Sequence, residues 1–212
     1  PFYSLAAAAP TVAELAVAGT KITTENHKVD GYRGTRYSIH QPTANATYKY
    51  SGGLGTYCAK HSPFAVYCPQ VEKTFFCYGG SVPSNSAQLV HMVAYYDHKT
   101  GEVPRPTLLL DKRTDDAHDN PVISVDQEGY VWIFSTSHGV DRPSFVHRSA
   151  KAYSTDVFER IEATCERESG VELMNNFSYF QVWNQGSRGF SAFFTHYRDP
   201  VDRTLMFMTR AD

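Results

Sequence analysis

Three side chains able to move protons stand out by type and spacing: His118, His138 and Tyr179. His118 precedes a β-rich run, Val122–Val125, and His138 follows another, Tyr130–Ser135. The turn Asp126-Gln127-Glu128-Gly129 lies between them. In an antiparallel hairpin, residues equidistant from the turn face each other. Both imidazoles are therefore expected at the open end of one hairpin. An imidazole takes or gives a proton near neutral pH, and a phenol does so once a nearby cation favours its ionised form. Such a trio suits general acid–base work. Taken singly, each of the three reads first as a satisfied polar group at a strand end, and it is their meeting on one rim that brings function level with that reading.

The trio also follows a repeat. Pro63-Phe64, Pro121-Val122 and Tyr179-Phe180 each open a hairpin, 58 residues apart each time. His61, His118 and Tyr179 then occupy nearly the same place in successive units. A period of this length with about four strands per unit is the signature of a β-propeller blade. The first strand of a blade lines the central axis, so equivalent positions would ring one mouth of the channel. The predicted architecture is all-β, a propeller of four-stranded antiparallel blades. Four blades of that length would exceed the 212 residues, so part of a propeller is expected.

The elements that must position these groups are strands. Helical periodicity is nearly absent, and short β-rich runs bounded by turn residues dominate. Phe64–Cys68 and Thr74–Tyr78 form one pair of runs. Leu89–Tyr96 turns through Asp97–Gly101 into Val103–Leu110, and Ser144–Arg148 follows the histidine hairpin. Gln181–Trp183 turns at Gly186 into Phe190–Thr195. Tyr153–Glu162 reads as the single helical stretch. Thr204–Met208 reads as a final strand with nothing left to pair it, as in a truncated sequence.

Composition excludes several classes. With 42% hydrophobic and 20% charged residues, the chain is no disordered polyelectrolyte. No run of eighteen apolar residues exists, which argues against a membrane-spanning helix. The formal charge is −2, so nucleic acid is not an expected partner and an anionic ligand would need a local cationic cluster. Leu5–Ala9 and Leu15–Gly19 are small and apolar, as in a secretory leader or a weakly ordered N-terminus. Cys58, Cys68 and Cys77 lie close together with His61 nearby. That set reads as free thiols inside strands, as a disulfide in an exported protein, or as zinc ligands at a non-standard spacing.

Several segments resemble one family in order along the chain. They are KVDGYRG (Lys28–Gly34), YKYSGGLGTYCAKHSPFAVY (Tyr48–Tyr67), KTFFCYGG (Lys73–Gly80), DHKTGEVPRPTLLLDK (Asp97–Lys112), DDAHDNPVISVDQEGYVWIFSTSHGVDRPSF (Asp115–Phe145) and NNFSYFQVW (Asn175–Trp183). They look like the BNR-4 type propellers of carbohydrate-active enzymes, and most like the ulvan lyases of polysaccharide lyase families 24 and 25. The resemblance implies a seven-bladed propeller, of which residues 28–212 would supply about half, after a leader or disordered segment at 1–27. It implies cleavage of a sulfated rhamnose–uronic acid linkage by β-elimination in a secreted or periplasmic protein. The partner would be an anionic sulfated polysaccharide. No cofactor would be required, and a structural zinc or calcium is compatible with the pattern.

The resemblance also assigns roles. His118, His138 and Tyr179 would be catalytic, and the uronate carboxylate would be met by a cation. Relatives carry an arginine in a segment like FTRY where this chain reads FFTHY, so His196 or Arg198 would take that place. Asn120 would be a further donor. Rhamnosidases on the same scaffold resemble the AKHSP segment, which would make His61 catalytic instead. Rhamnose–glucuronate lyases and a non-catalytic carbohydrate-binding propeller are the other rivals.

Overall fold

The computed structural model describes residues 16–17, 20–31, 61–82, 85–114, 116–167, 170–197 and 203–209. Strands β1 (Ala16–Val17) and β2 (Thr20–Lys21) form a small ribbon. The next five, β3 (Thr24–Lys28), β4 (Ala65–Cys68), β5 (Lys73–Val82), β6 (Asn85–Asp97) and β7 (Thr107–Asp111), form one antiparallel sheet in the order β3-β7-β6-β5-β4. A second sheet holds β8 (Pro121–Val125), β9 (Val131–Ser135), β10 (Phe145–Ser149) and β11 (Phe158–Ile161), in sequence order. After a second ribbon, β12 (Thr164–Arg167) with β13 (Gly170–Leu173), a third sheet is built from β14 (Phe177–Asn184), β15 (Phe190–Tyr197) and β16 (Arg203–Thr209). Among the described residues the helical structure is two short 3-10 turns, Ala117–Asp119 and Gly186–Arg188.

The second sheet is the centre of the packing, because both its faces are covered. Every residue of β8 and β9 is buried. Side chains alternate across a strand, and the alternation here divides two cores. Val122, Trp132 and Phe134 pack with Phe177, Phe180, Phe190 and Phe194 of the third sheet. Ile123, Val131 and Ile133 pack on the other side with Phe75, Leu109 and Leu110 of the first. That is why these strands read as continuous apolar runs instead of alternating ones.

The three hairpin-opening segments meet. Ser62 and Gln181 form a parallel bridge, with Ser62 N–H donating to the Phe180 carbonyl at 3.0 Å and Val182 N–H donating to the Ser62 carbonyl at 2.9 Å. Ile123 N–H donates to the Pro63 carbonyl at 3.1 Å. The segment leading into β4 is thereby stitched to β8 and β14 at the ends where His61, His118 and Tyr179 sit.

Three expectations change. Residues 153–162 are not a helix: a turn is followed by β11, whose Phe158 pairs with Ser149 and whose Ile161 pairs with Val146. The open edge of β10 needed a partner for its hydrogen-bonding groups, and the buried Phe158 anchors that pairing. The strand at Arg203–Thr209 has a partner after all, β15, from Ser191↔Thr209 to Tyr197↔Arg203. The N-terminal strand β3 belongs to the first sheet and pairs with β7, so ordered structure begins ahead of Lys28. Among the described residues no helix is long and apolar enough to cross a membrane.

Candidate functional site

The histidine hairpin sets the site. In the β8–β9 register Pro121 faces Ser135, Val122 faces Phe134 and Val125 faces Val131. Three steps beyond the Pro121–Ser135 pair, the same register brings His118 opposite His138. The two rings stack, 4.2 Å between centroids and inclined by 18°. Regular pairing has ended by then, and short polar loops hold the geometry. Thr136 Oγ1 donates to the carbonyls of His118 (2.9 Å) and Asn120 (2.7 Å). His138 N–H donates to Asp119 Oδ1 at 2.7 Å, and Ser137 N–H donates to the Phe177 carbonyl at 2.9 Å.

Asp116 joins the two rings. Its Oδ1 lies 2.5 Å from His118 Nδ1 and its Oδ2 lies 3.1 Å from His138 Nδ1. Burial alone would raise this carboxyl's pKa. The hydrogen bonds from His118 and His138, with the His118 backbone N–H, outweigh that and hold it far below the usual carboxylate range.

Tyr179 closes the site from the third sheet. Its hydroxyl is 3.4 Å from His138 Nε2, and its ring meets both imidazoles edge-on, 5.6 Å from His118 and 6.0 Å from His138. The β14–β15 register shifts between Ser178 and Gln181, and Tyr179 takes a left-handed backbone conformation, φ 52°. Bulges of this kind re-aim a side chain next to a site. The bulge takes Tyr179 out of the regular ladder, and its N–H donates to His61 Nε2 at 2.9 Å. His61 is buried, and burial first, then the neighbouring His118, lowers its pKa to about 3. It is therefore a neutral acceptor that fixes the Tyr179 backbone.

Of the residues singled out in the sequence, His61, His118, His138 and Tyr179 come together. Asn120 is buried at the start of β8. His196 is buried on β15, paired with Phe177 and Thr204, and continues the inward series Phe190, Ala192, Phe194. The ring of its neighbour Tyr197 meets His138 edge-on, 5.8 Å between centroids. Arg198 and Cys58 lie outside the described residues. Cys68 and Cys77 are buried free thiols, in keeping with the strand-interior reading.

Sequence reasoning passed over Asp116 and the network behind the His138 loop. Asp119 is fully buried and takes Arg142 Nε at 2.9 Å, with Lys112 Nζ at 3.9 Å. Lys112, also fully buried, donates to the Pro143 carbonyl at 2.8 Å and Ser137 Oγ at 3.2 Å. Burial lowers its pKa to about 8 against the pull of Asp119. A signal for Asp116 was present: an Asp two residues before a loop histidine forms an Asx turn, and His118 N–H does donate to Asp116 Oδ1 at 2.9 Å.

The nitrogen and oxygen atoms of Asp116, His118 and His138 lie within 4.8 Å of one another, close enough to suggest a metal. The ring geometry does not fit one. An imidazole lone pair lies in the ring plane, and two stacked planes inclined by 18° do not meet within a coordination distance of about 2 Å from both nitrogens. A carboxylate bridging two N–H groups accounts for the arrangement.

No family model matches the chain, and no curated protein does. Among solved structures it is similar to one described as a polysaccharide lyase of a new family, PL25, an ulvan lyase. The identity is 18% and the TM-score 0.42, over 71% of this chain and 37% of that one. The chain thus spans little more than a third of that protein's length.

Proposed function

We propose that this chain carries the acid–base centre of a polysaccharide lyase that cleaves a uronic acid linkage by β-elimination, with ulvan as the substrate. The observation that carries the reading is the Tyr179 hydroxyl set against Nε2 of a histidine whose Nδ1 is held by a carboxylate. The motif resemblance supplies the substrate class. The three antiparallel sheets, joined where the segment before β4 meets β8 and β14, are assigned as blades of a partial propeller.

In the proposed reaction Tyr179, as phenolate, takes the proton from C5 of the uronate. The C–H electron pair becomes the C4–C5 double bond, and the C4–O4 bond breaks with its electrons going to O4. O4 receives the proton from Tyr179, which restores the phenolate. A phenol has a reference pKa near 10, so a positive charge beside it is required. His138, protonated at Nε2 while Nδ1–H stays on Asp116, supplies it. His118 is assigned to the same cationic wall. Arg198 or His196 is assigned to the uronate carboxylate, whose neutralisation stabilises the developing enolate, with Asn120 as a further donor. No metal takes part in these steps.

The hydrolase alternative, with His61 catalytic, has less support, because His61 Nε2 is occupied by the Tyr179 N–H in a buried place. Incubation of the full-length protein with ulvan, followed by ultraviolet absorbance of the unsaturated uronate, tests the reading. Reducing sugar released without absorbance would show hydrolysis, and binding without any product would show a lectin-like role.

A further inference from the structure

Asp116 is placed by its own turn before it touches either imidazole. Its N–H donates to Thr114 Oγ1 at 3.0 Å, its carbonyl accepts from Asp119 N–H at 3.1 Å, and its Oδ1 accepts the His118 N–H. The carboxylate thus points at the ring pair with little freedom left. A carboxylate only accepts, so each facing Nδ1 must carry a proton. Each Nε2 is then left as the nitrogen that can exchange one, and in His138 that is the atom beside the Tyr179 hydroxyl.

We infer that Asp116 is the positioning residue of the centre: one carboxylate sets the tautomer of both His118 and His138 and couples their protonation. The inference rests on the lyase reading for its consequence in catalysis, but the tautomers themselves do not depend on that reading.

Asp116→Asn separates this role from loop capping. The amide oxygen still accepts the His118 N–H, so the turn survives. The amide nitrogen stands where Oδ2 stood and donates, which forces His138 to accept at Nδ1 and carry its proton at Nε2. Nitrogen chemical shifts of the two imidazoles in labelled full-length protein report this directly. The expected result is Nδ1–H on both rings in the wild type, with His138 moved to Nε2–H in Asp116→Asn. Turnover on ulvan should fall about 10²–10⁴-fold, the range seen when a histidine is left in the wrong tautomer. The alkaline limb of the pH–rate profile, on which the required imidazolium deprotonates, should move to lower pH, because the imidazolium loses its counter-charge. His138 is otherwise faced by His118, Tyr179 and Tyr197, with Asp119 and Arg142 behind its loop and His61 behind Tyr179, and all of these are unchanged. Asp116→Glu should restore Nδ1–H and part of the rate.

A wild-type ring whose Nδ1 carries no proton, with N–H at Nε2 alone, overturns the inference. So does an Asp116→Asn protein with wild-type tautomers and profile. If Asp116→Asn does not fold, the wild-type spectra still decide. If the wild type makes no unsaturated product, the lyase reading falls while the spectra judge Asp116 on their own.

Discussion

Among the described residues, two pairs of histidines have contrasting surroundings. His118 and His138 stand at the strand ends, stacked on each other, with a carboxylate on Nδ1. His91 and His147 lie inside the sheets with no exposure. His91 contacts Ser135 Oγ at 3.0 Å and donates from Nε2 to the Asp119 carbonyl at 2.6 Å, and His147 Nε2 meets Thr24 Oγ1 at 2.9 Å. Burial, aided by the cations Lys112 and Arg160, lowers the His147 pKa to about 3, and burial with Lys112 holds His91 well below its ordinary value. These interior rings are neutral struts. The same residue type meets a carboxylate at the rim and a carbonyl and hydroxyl set in the interior, and the proposed acid–base role falls to the rim pair.

The sharpest way to break that comparison is to remove groups from the rim. Tyr179→Phe and His138→Ala should each cost at least about 10³-fold in turnover on ulvan. For Tyr179→Phe, which keeps the ring, the melting temperature should stay close to wild type. A variant retaining full turnover removes its residue from the chemistry.

Next comes the buried charge behind the rim. Lys112→Met takes from the fully buried Asp119 one of its two cationic partners and leaves it Arg142 and the His138 N–H. The expected loss is roughly 3 kcal/mol, since breaking a buried pair strands a charge. Denaturant midpoints measure it, and an unchanged midpoint would mean that Arg142 suffices.

Acid sharpens the contrast further. His61 and His147 have folded pKa values near 3 against about 6.5 unfolded. For a base with a lowered folded pKa, the unfolded chain binds more protons within that window. Stability is therefore complete above about pH 6.5 and falls as the pH drops towards 3, by up to about 1.4 kcal/mol per pH unit for each such histidine. Asp116 has a depressed pKa, so its contribution persists above about pH 4 and is lost only below that. Denaturation curves between pH 7 and 4 that overlay would remove the neutral-strut reading.

The smallest effect concerns the interior thiols. Cys77 is buried on β5 and burial pushes its pKa far up, so it should resist alkylation in the native protein. Site-resolved mass spectrometry reads this, and rapid labelling of Cys77 without unfolding would show that the first sheet opens.

The sequence alone determined the all-β class, most strand positions and the meeting of His118 with His138. Strand alternation has a period of two and the Asp126–Gly129 turn pins the register, so two residues equally far from that turn must converge. It also placed Tyr179 near them, through the 58-residue recurrence of hairpin openings. What it left undecided depended on groups brought in from elsewhere. Only the tertiary structure turned His61 into a backbone acceptor for a bulged Tyr179, because that bond spans two sheets and no local pattern encodes it. Only packing decided that residues 153–162 finish a sheet instead of forming a helix, since a short amphipathic run fits either until a strand edge offers hydrogen bonds. And only the folded loop brought one carboxylate, Asp116, within reach of two rings that lie 20 residues apart in the chain.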